Sequence, residues 1–238
     1  PPEKVLAEVD RILAIWRRPF IELADDNSFV DRGYWIELLP ALAQRRIRWF
    51  TETDISVGED DRLLELLRAS GCAEVLVGLE SPVADGLSGT ETGLDWKLGR
   101  LHRYRDVLRN IQGHGIRVNG CFVLGLDGQG PDIFDLVRDF VREADLFDVQ
   151  ITVLTPFPGT PLYARLCAEG RLLDEHAWNR CTLFDVNFRP SGMSVGELER
   201  GFRALGVDIY SAEWTQRRRS RFKRRLRARR HHDQEGTT

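Results

Sequence analysis

Apolar runs and amphipathic stretches alternate along the chain. Residues 2–16 place Val5, Val9, Ile12, Leu13 and Trp16 at helical spacing, with Pro2 in the first turn, where its missing N–H costs little. A short apolar run over 20–24 predicts a strand. A second helical pattern begins at about Asp31, a capping residue, with Trp35, Leu38, Leu39 and Leu42 on one side and Pro40 predicted to kink or break it. The alternation continues with a strand over 47–50, a helix over 60–69 stopped by Gly71, a strand over 74–79 and a helix over 96–112 stopped by Gly113. A strand over 116–124, a helix over 132–142 and a strand over 149–154 complete it. Helices regularly separating short apolar strands predict parallel pairing through helical crossovers.

An α/β series of this kind closes into a doubly wound sheet or into a full or partial (βα) barrel, and both place ligands at the carboxyl ends of the strands. Polar clusters stand at those ends: Asp25, Asp26 and Asn27; Glu52, Thr53 and Asp54; Glu80 and Ser81; Asp127; Thr155. Any one of them alone reads as an ordinary helix cap. Five in register predict one shared cavity. After the last strand, "TPFPGTPLYARLCAEGRLL" stiffens the backbone with Pro156, Pro158 and Pro161, offers Thr160 as a cap and ends its helix at Gly170.

Composition narrows the classes. A chain of 238 residues with 42% hydrophobic positions fits one large domain or one domain with an extension. No run reaches the roughly 18–20 apolar residues of a membrane span and the first residues do not have the layout of a signal peptide, so a soluble, cytoplasmic protein is expected. The sequence opens on Pro1 and Pro2 and its one methionine is Met193, which reads as a fragment, a processed product or a partial gene model. Cys72, Cys121, Cys167 and Cys181 form no chelating spacing and read as thiols in a reducing compartment, and the five histidines form no helical metal motif. The net charge of −3 hides an asymmetry: residues 217–232 hold ten Lys or Arg, and without them 24 basic residues face 37 acidic ones. For that tail two readings stand side by side, a basic helix touching anionic lipid or nucleic acid with Phe222 and Leu226 on one face, and a solvated or partly disordered basic end. No nucleic-acid-reading fold is visible.

The stretches "FIELADDNSF", "GCAEVLVGLES", "RVNGCFVLGLDG" and "TPFPGTPLYARL", in this order, resemble the second, fourth, fifth and sixth strands of radical S-adenosylmethionine enzymes. The later "WNRCTLFDVNFRPSGMSVGELERGF" and "IYSAEW" resemble the C-terminal extension of the subset whose full-length members carry a cobalamin-binding domain. The resemblance implies a partial (βα)6 TIM-like barrel over 1–168 lacking its first strand, an extension over 169–216 and a basic tail over 217–238. It implies S-adenosylmethionine, a 4Fe-4S cluster and, on a domain absent here, cobalamin as cofactors. The implied reaction is reductive cleavage of S-adenosylmethionine, starting radical chemistry or methyl transfer on a small molecule or lipid. A reductant protein such as flavodoxin or ferredoxin is the implied partner, and a membrane surface reached through the tail is a further one.

By the same resemblance Glu80 and Ser81 grip the ribose or amino-acid part of the cofactor, Asp25 and Asp26 stand where the methionyl amino group lies, and Gly120, Phe122 and Gly125 flank adenine. Asn27, Glu52 and Thr155 fall to the substrate. The sequence departs from the family in lacking the CxxxCxxC loop that ligates the cluster, so this chain alone is expected to be inactive. Two alternatives remain: a degenerate, non-catalytic barrel that binds a ligand without a cluster, and a metal-free lyase or aldolase built on Lys97, against which its place at a helix start counts.

Overall fold

The computed structural model describes residues 1–87 and 95–235; residues 236–238 of the expected tail, and the side chains of its histidines His231 and His232, lie outside what is described. Five strands form one sheet: β1 (Phe20–Leu23), β2 (Arg48–Thr53), β3 (Cys72–Glu80), β4 (Arg117–Leu124) and β5 (Asp148–Val153). They pair in sequence order and every pair is parallel. Sequential order with helical crossovers is the layout of a barrel segment rather than of a doubly wound sheet, whose strand order reverses. The sheet is open, as the partial barrel requires.

The crossovers run through α2 (Arg32–Arg45), α3 (Asp61–Ala69), a pair of helices before β4, and α7 (Ile133–Ala144), with α1 (Pro2–Ile15) leading into β1. Alternation along the strands decides which face meets them. On β4, Phe122 packs edge-on against Phe140 of α7 at 5.7 Å. Gly120 leaves so little room that an added Cβ would lie 2.7 Å from Leu146 and 3.0 Å from Leu79. Val75, Val77 and Leu79 of β3 are fully buried on the same side. Each such side chain contributes about 1.5–3 kcal/mol of transfer free energy. The other parity, Leu76, Gly78, Cys121 and Val123, faces the concave side. At the amino end of the strands Arg117 pairs with Glu74 at 3.1 Å and lies over the rings of Phe20 and Phe147, closing the bottom of the sheet.

Three expectations are corrected. Of the kink or break predicted at Pro40, the break does not occur: α2 runs through it. Proline removes a single hydrogen bond, to the carbonyl of Ile36, whose side chain is exposed, while Trp35, Leu38, Leu39 and Leu42 anchor the buried side. The helix predicted over 96–112 is two, α5 (Trp96–Arg100) and α6 (Tyr104–Gly113), separated by a 3-10 turn at Leu101–Arg103. Arg100 lies over the ring of Trp96 at 4.0 Å, and Arg100 and Arg103 both reach Glu59. The break lets α5 point Trp96 and Lys97 at the concave side while α6 buries Tyr104, Leu108 and Ile111.

The third correction concerns the basic tail. Short α4 (Ala84–Leu87) precedes α5, and beyond β5 lie α8 (Pro161–Ala168), capped by Thr160 as expected, α9 (Val195–Ile209) and α10 (Ala212–Glu235). The expected boundary between extension and tail at 216/217 falls inside α10. Its inner side is docked: Phe222 meets Phe147 at 5.1 Å, Arg218 is buried and donates to the carbonyl of Ile209 at 2.7 Å, and Arg219 pairs with Asp148 at 2.8 Å. Arg221 and Arg225 converge on Asp145. The stripe of Phe222 and Leu226 is therefore turned onto the protein, Leu226 against Gly115, while Lys223, Arg224 and Arg227 stay exposed. Among the described residues no helix is long and apolar enough to cross a membrane.

Candidate functional site

The end of β3 departs from regular pairing, and the departure aims a carboxylate. Register slips between Gly78 and Glu80, and Glu80 adopts φ 60°, a left-handed conformation rare outside glycine. Its carboxylate accepts a hydrogen bond from Lys97 Nζ at 2.7 Å. Beneath them Gly78 leaves the pair its room: an added Cβ would lie 2.7 Å from Glu80 Oε1 and 3.5 Å from Lys97 Nζ and would displace those side-chain ends.

The pair stands in an open cavity of about 690 Å³ at the carboxyl ends of the strands. Around its wall come Asp26 and Asn27 after β1, Glu52, Thr53 and Asp54 at the end of β2, Cys121 and Val123 of β4, and Gln150 and Thr152 of β5. Asn27 and Asp54 hold each other, Asn27 Nδ2 donating to Asp54 Oδ2 at 3.0 Å and the Asp54 backbone N–H donating to Asn27 Oδ1 at 3.0 Å. That reciprocal clasp fixes the loop after β1 to the loop after β2.

Acids dominate the β1 and β2 side. Burial, then the nearby charges of Glu22 and Asp26, push Glu52 above the usual carboxylate range. Burial, then Glu80 and Glu52, push the Cys121 thiol up to about 12, so it stays protonated at neutral pH. With carboxylates on one wall and the Lys97 ammonium on another, the cavity complements a ligand carrying both signs of charge.

Of the residues singled out by sequence, Asp26, Asn27, Glu52, Thr53, Asp54 and Glu80 line this cavity together. The others stand elsewhere. Ser81 is fully buried, its hydroxyl accepting from the Val83 backbone at 3.3 Å and from Gln129 Nε2 at 3.4 Å; the turn at Glu80 swings it into the core. Gly120 and Phe122 lie on the helix side of β4, and the lining positions are their neighbours Cys121 and Val123. Gly125, at φ 92°, donates its N–H to Gln129 Oε1 at 2.8 Å. Asp25 caps its own loop through the Asn27 N–H, and Thr155 donates to the Val153 carbonyl. Asp127 is clamped by Arg165 and Arg171 at 2.6 and 2.7 Å and ties the β4 loop to the C-terminal extension. Lys97, Cys121, Gln150 and Thr152 were missed as lining residues; the slip that pairs Glu80 with Phe122 hides the parity that would have pointed to Cys121.

The chain is similar to known proteins along most of its length. Residues 160–237 match a family model described as a domain of unknown function, DUF4070. The chain is 28% identical over 186 residues to bacteriochlorophyllide d C-12(1)-methyltransferase of Chlorobaculum tepidum, covering 78% of this chain and 39% of that protein. It is 28% identical over 180 residues to the hopanoid C-2 methylase of Rhodopseudomonas palustris, covering 73% of this chain and 33% of that protein. The chain thus spans a third to two fifths of the length of these curated relatives. Among solved structures, the radical S-adenosylmethionine methyltransferase TsrM from Kitasatospora setae, with cobalamin and a 4Fe-4S cluster bound, superposes with a TM-score of 0.59 at 20% identity, a likeness of fold, over 85% of this chain and 41% of that one. The chain thus resembles these methyltransferases in sequence, and in fold a radical S-adenosylmethionine methyltransferase whose parallel strand order it shares.

Proposed function

We propose that this chain forms the S-adenosylmethionine-binding wall of a radical methyltransferase or cyclase acting on a small molecule or lipid, with the cluster-binding cysteines contributed by sequence outside these 238 residues. The observation that carries the reading is the Glu80–Lys97 pair laid over Gly78 in an acid-lined cavity at the strand ends. S-adenosylmethionine bears a sulfonium, an ammonium and a carboxylate, the mixture of charges such a cavity complements. When bound it would supply an adenosyl radical or a methyl group. Glu80 accepts hydrogen bonds from the ribose hydroxyls or the ammonium, Asp26 and Glu52 offset positive charge, and Gly78 keeps the floor flat enough for close approach.

The thiols present do not fit an iron–sulfur cluster. Cys72 is buried at the start of β3, Cys121 stands in the cavity, Cys167 contacts Glu175 and Cys181 contacts the Pro156 carbonyl. Among the described residues no group of three His, Cys, Asp or Glu is placed to hold a metal. That dispersal also favours the second reading, a barrel that binds a ligand without a cluster.

The names of the relatives support a methyl-transfer chemistry on pigments or lipids. Cobalamin as methyl carrier, a flavodoxin or ferredoxin as reductant and a cytoplasmic site of action go with the same reading. Equilibrium dialysis with S-adenosylmethionine tests the cofactor wall directly: binding is expected, weakened on the order of tenfold to a hundredfold by Glu80→Ala. Iron and sulfide reconstitution of the gene product that includes upstream coding sequence, assayed for 5′-deoxyadenosine, separates the two readings. Cofactor binding without cleavage supports the non-catalytic barrel; an absence of binding in both preparations overturns the proposal.

A further inference from the structure

We infer that the cleft between α7 and α10 is a binding site for a phosphate group, carried by a soluble compound or by a lipid head. It shares no residue with the strand-end cavity, so the inference stands apart from the cofactor reading. Arg142 near the end of α7 and Asp145 just after it form one wall, and Trp214, Arg217, Arg218 and Arg221 of α10 form the other. Those four follow the spacing i, i+3, i+4, i+7, which puts them on one face of the helix. The cavity holds about 60 Å³. One water needs roughly 10–15 Å³, so there is room for about four water-sized groups, the number of oxygens on a phosphate.

Arg218 is what calls for a ligand. Its side chain is 7% exposed and carries a full charge. Nη1 donates to the Ile209 carbonyl at 2.7 Å, but Nε and Nη2 are buried with no hydrogen-bond partner among the described residues. The Asp148 carboxylate stands 3.8 Å from Nη2, beyond hydrogen-bonding reach, and is bonded to Arg219 at 2.8 Å. Burial lowers the Arg218 pKa from its ordinary value, and the charge of Asp148 only partly offsets this. Ionised donors left open in a buried site are costly, and water would answer the donors without answering the charge. An anion answers both.

The surrounding charges do not cancel. Asp145 is shared by Arg221 and Arg225, and Asp148 by Arg218 and Arg219. At the mouth, Arg142 and Arg217 pair with exposed carboxylates on their own helices, Asp139 at 3.3 Å and Glu213 at 3.4 Å. These pairs set six guanidiniums against four carboxylates, a surplus of two positive charges. A phosphate group carries about −1.5 to −2 at neutral pH and matches that surplus, whereas a lone carboxylate answers half of it. Guanidinium forks also suit phosphate oxygens. The ring of Trp214 lies 5.5 Å from the Arg142 guanidinium and 5.9 Å from that of Arg218, holding the two against one indole.

Isothermal titration of the full chain with sodium phosphate, at an ionic strength held constant with sodium chloride, tests the inference. Vesicles of phosphatidylcholine with and without phosphatidic acid form the second arm. Saturable binding of phosphate at one site is expected. Arg142→Gln and Arg217→Gln, at the exposed mouth, are each expected to weaken it by about tenfold, the loss of one charge-assisted hydrogen bond, with the melting temperature at the parent value. Lys223→Gln removes the same charge from the exposed side of α10 and is expected to leave binding unchanged. Arg218→Met should abolish binding; because it also removes the bond to the Ile209 carbonyl, the mouth variants decide the matter if that protein unfolds. Tighter binding to phosphatidic acid vesicles than to phosphate, with the same dependence on Arg142 and Arg217, supports the inference with a lipid as the source. Phosphate binding without vesicle binding supports it with a soluble compound as the source. An absence of saturable binding overturns it, as does a loss in Lys223→Gln as large as in Arg142→Gln, which would mean diffuse attraction to a basic helix. Tighter binding of a single-stranded oligonucleotide, weakened by Lys223→Gln, overturns it as well.

Discussion

Lys97 and Glu80 meet at 2.7 Å over Gly78, one reaching down from the first turn of α5 and the other lifted from the last residue of β3. Both side chains are largely withdrawn from solvent, 18% and 27% exposed, so their attraction is less screened than at an open surface. Gly78→Ala is expected to push the pair aside, because the new methyl group would fall 2.7 Å from the Glu80 carboxylate. S-adenosylmethionine affinity should drop on the order of tenfold, about 1.4 kcal/mol, with a melting temperature close to that of the parent. Isothermal titration and a thermal melt on the same sample check this; unchanged affinity would show that the pair is not what the cofactor meets.

Ser81, one residue on, belongs to stability rather than to binding. Its hydroxyl is sealed between Val83, Gln129 and Gly86, where an added Cβ would lie 2.4 Å from Ser81 Oγ. Ser81→Ala should cost about 0.5–1.5 kcal/mol, a few degrees in melting temperature for a chain of this size, and leave cofactor affinity unaltered. A large loss of affinity with an unchanged melt would reverse the assignment.

The order and type of the core elements were legible because helical periodicity and strand-sized apolar runs alternate without interruption. Which side of each strand faces the cavity was not. The cavity face of β4 is as apolar in sequence as its buried face, so "NGCFVLG" gives no sign that Cys121 and Val123, not Gly120 and Phe122, look inward. The slip at Gly78/Glu80 is likewise invisible in composition, and it is what separates Glu80 from Ser81. Lys97 was discounted for lying at a helix start, and the break at Leu101–Arg103 is what brings that start to the cavity. The tail read as basic and thinly apolar; the acids that dock it, Asp145 and Asp148, lie more than sixty residues earlier in the chain and only folding puts them together.

The docking of α10 should depend on salt. Arg219 with Asp148, and Arg221 and Arg225 with Asp145, are partly exposed pairs, whereas Phe222 against Phe147 is buried. At 1 M salt the screening length falls to about 3 Å, so the ionic part weakens and the apolar part persists. Hydrogen exchange over residues 212–228 is expected to quicken modestly at high salt in the parent and by tenfold or more in Phe222→Ala. Equal protection in both proteins at both salt concentrations would mean that neither contact holds the helix.

Glu52 should oppose folding at neutral pH. Its folded-state pKa is raised, first by burial and then by Glu22 and Asp26, so its contribution to stability is fully present below the ordinary carboxylate range and is lost as pH rises through the folded value. Glu52→Gln is expected to raise the melting temperature at pH 7, on the order of a degree, and to make no difference near pH 3. Stabilisation of equal size at both pH values would trace the effect to packing instead of charge.

Asp127 should do the reverse, and its effect is confined to acid. Burial alone would raise its pKa; hydrogen bonds from Arg171, Arg165 and Ser191 outweigh that and hold it at about 2. The folded value lies below the unfolded one, so the stabilisation is present above the unfolded carboxylate pKa of about 3.9 and disappears as pH falls towards 2. About a third of the Asp127 side chain is in water, which reduces the contribution to the order of 1 kcal/mol. Because Arg165 and Arg171 lie in and just beyond α8, the first structure released should be the junction between the β4 loop and the extension, ahead of the sheet. Hydrogen exchange from pH 5 to pH 2.5, corrected for intrinsic rates, should show residues 161–173 losing protection before β3 and β4. Asp127→Asn should show the weakened junction already at pH 5, with little further change on acidification. Simultaneous loss of protection across the junction and the sheet would mean that Asp127 holds no separable part of the fold.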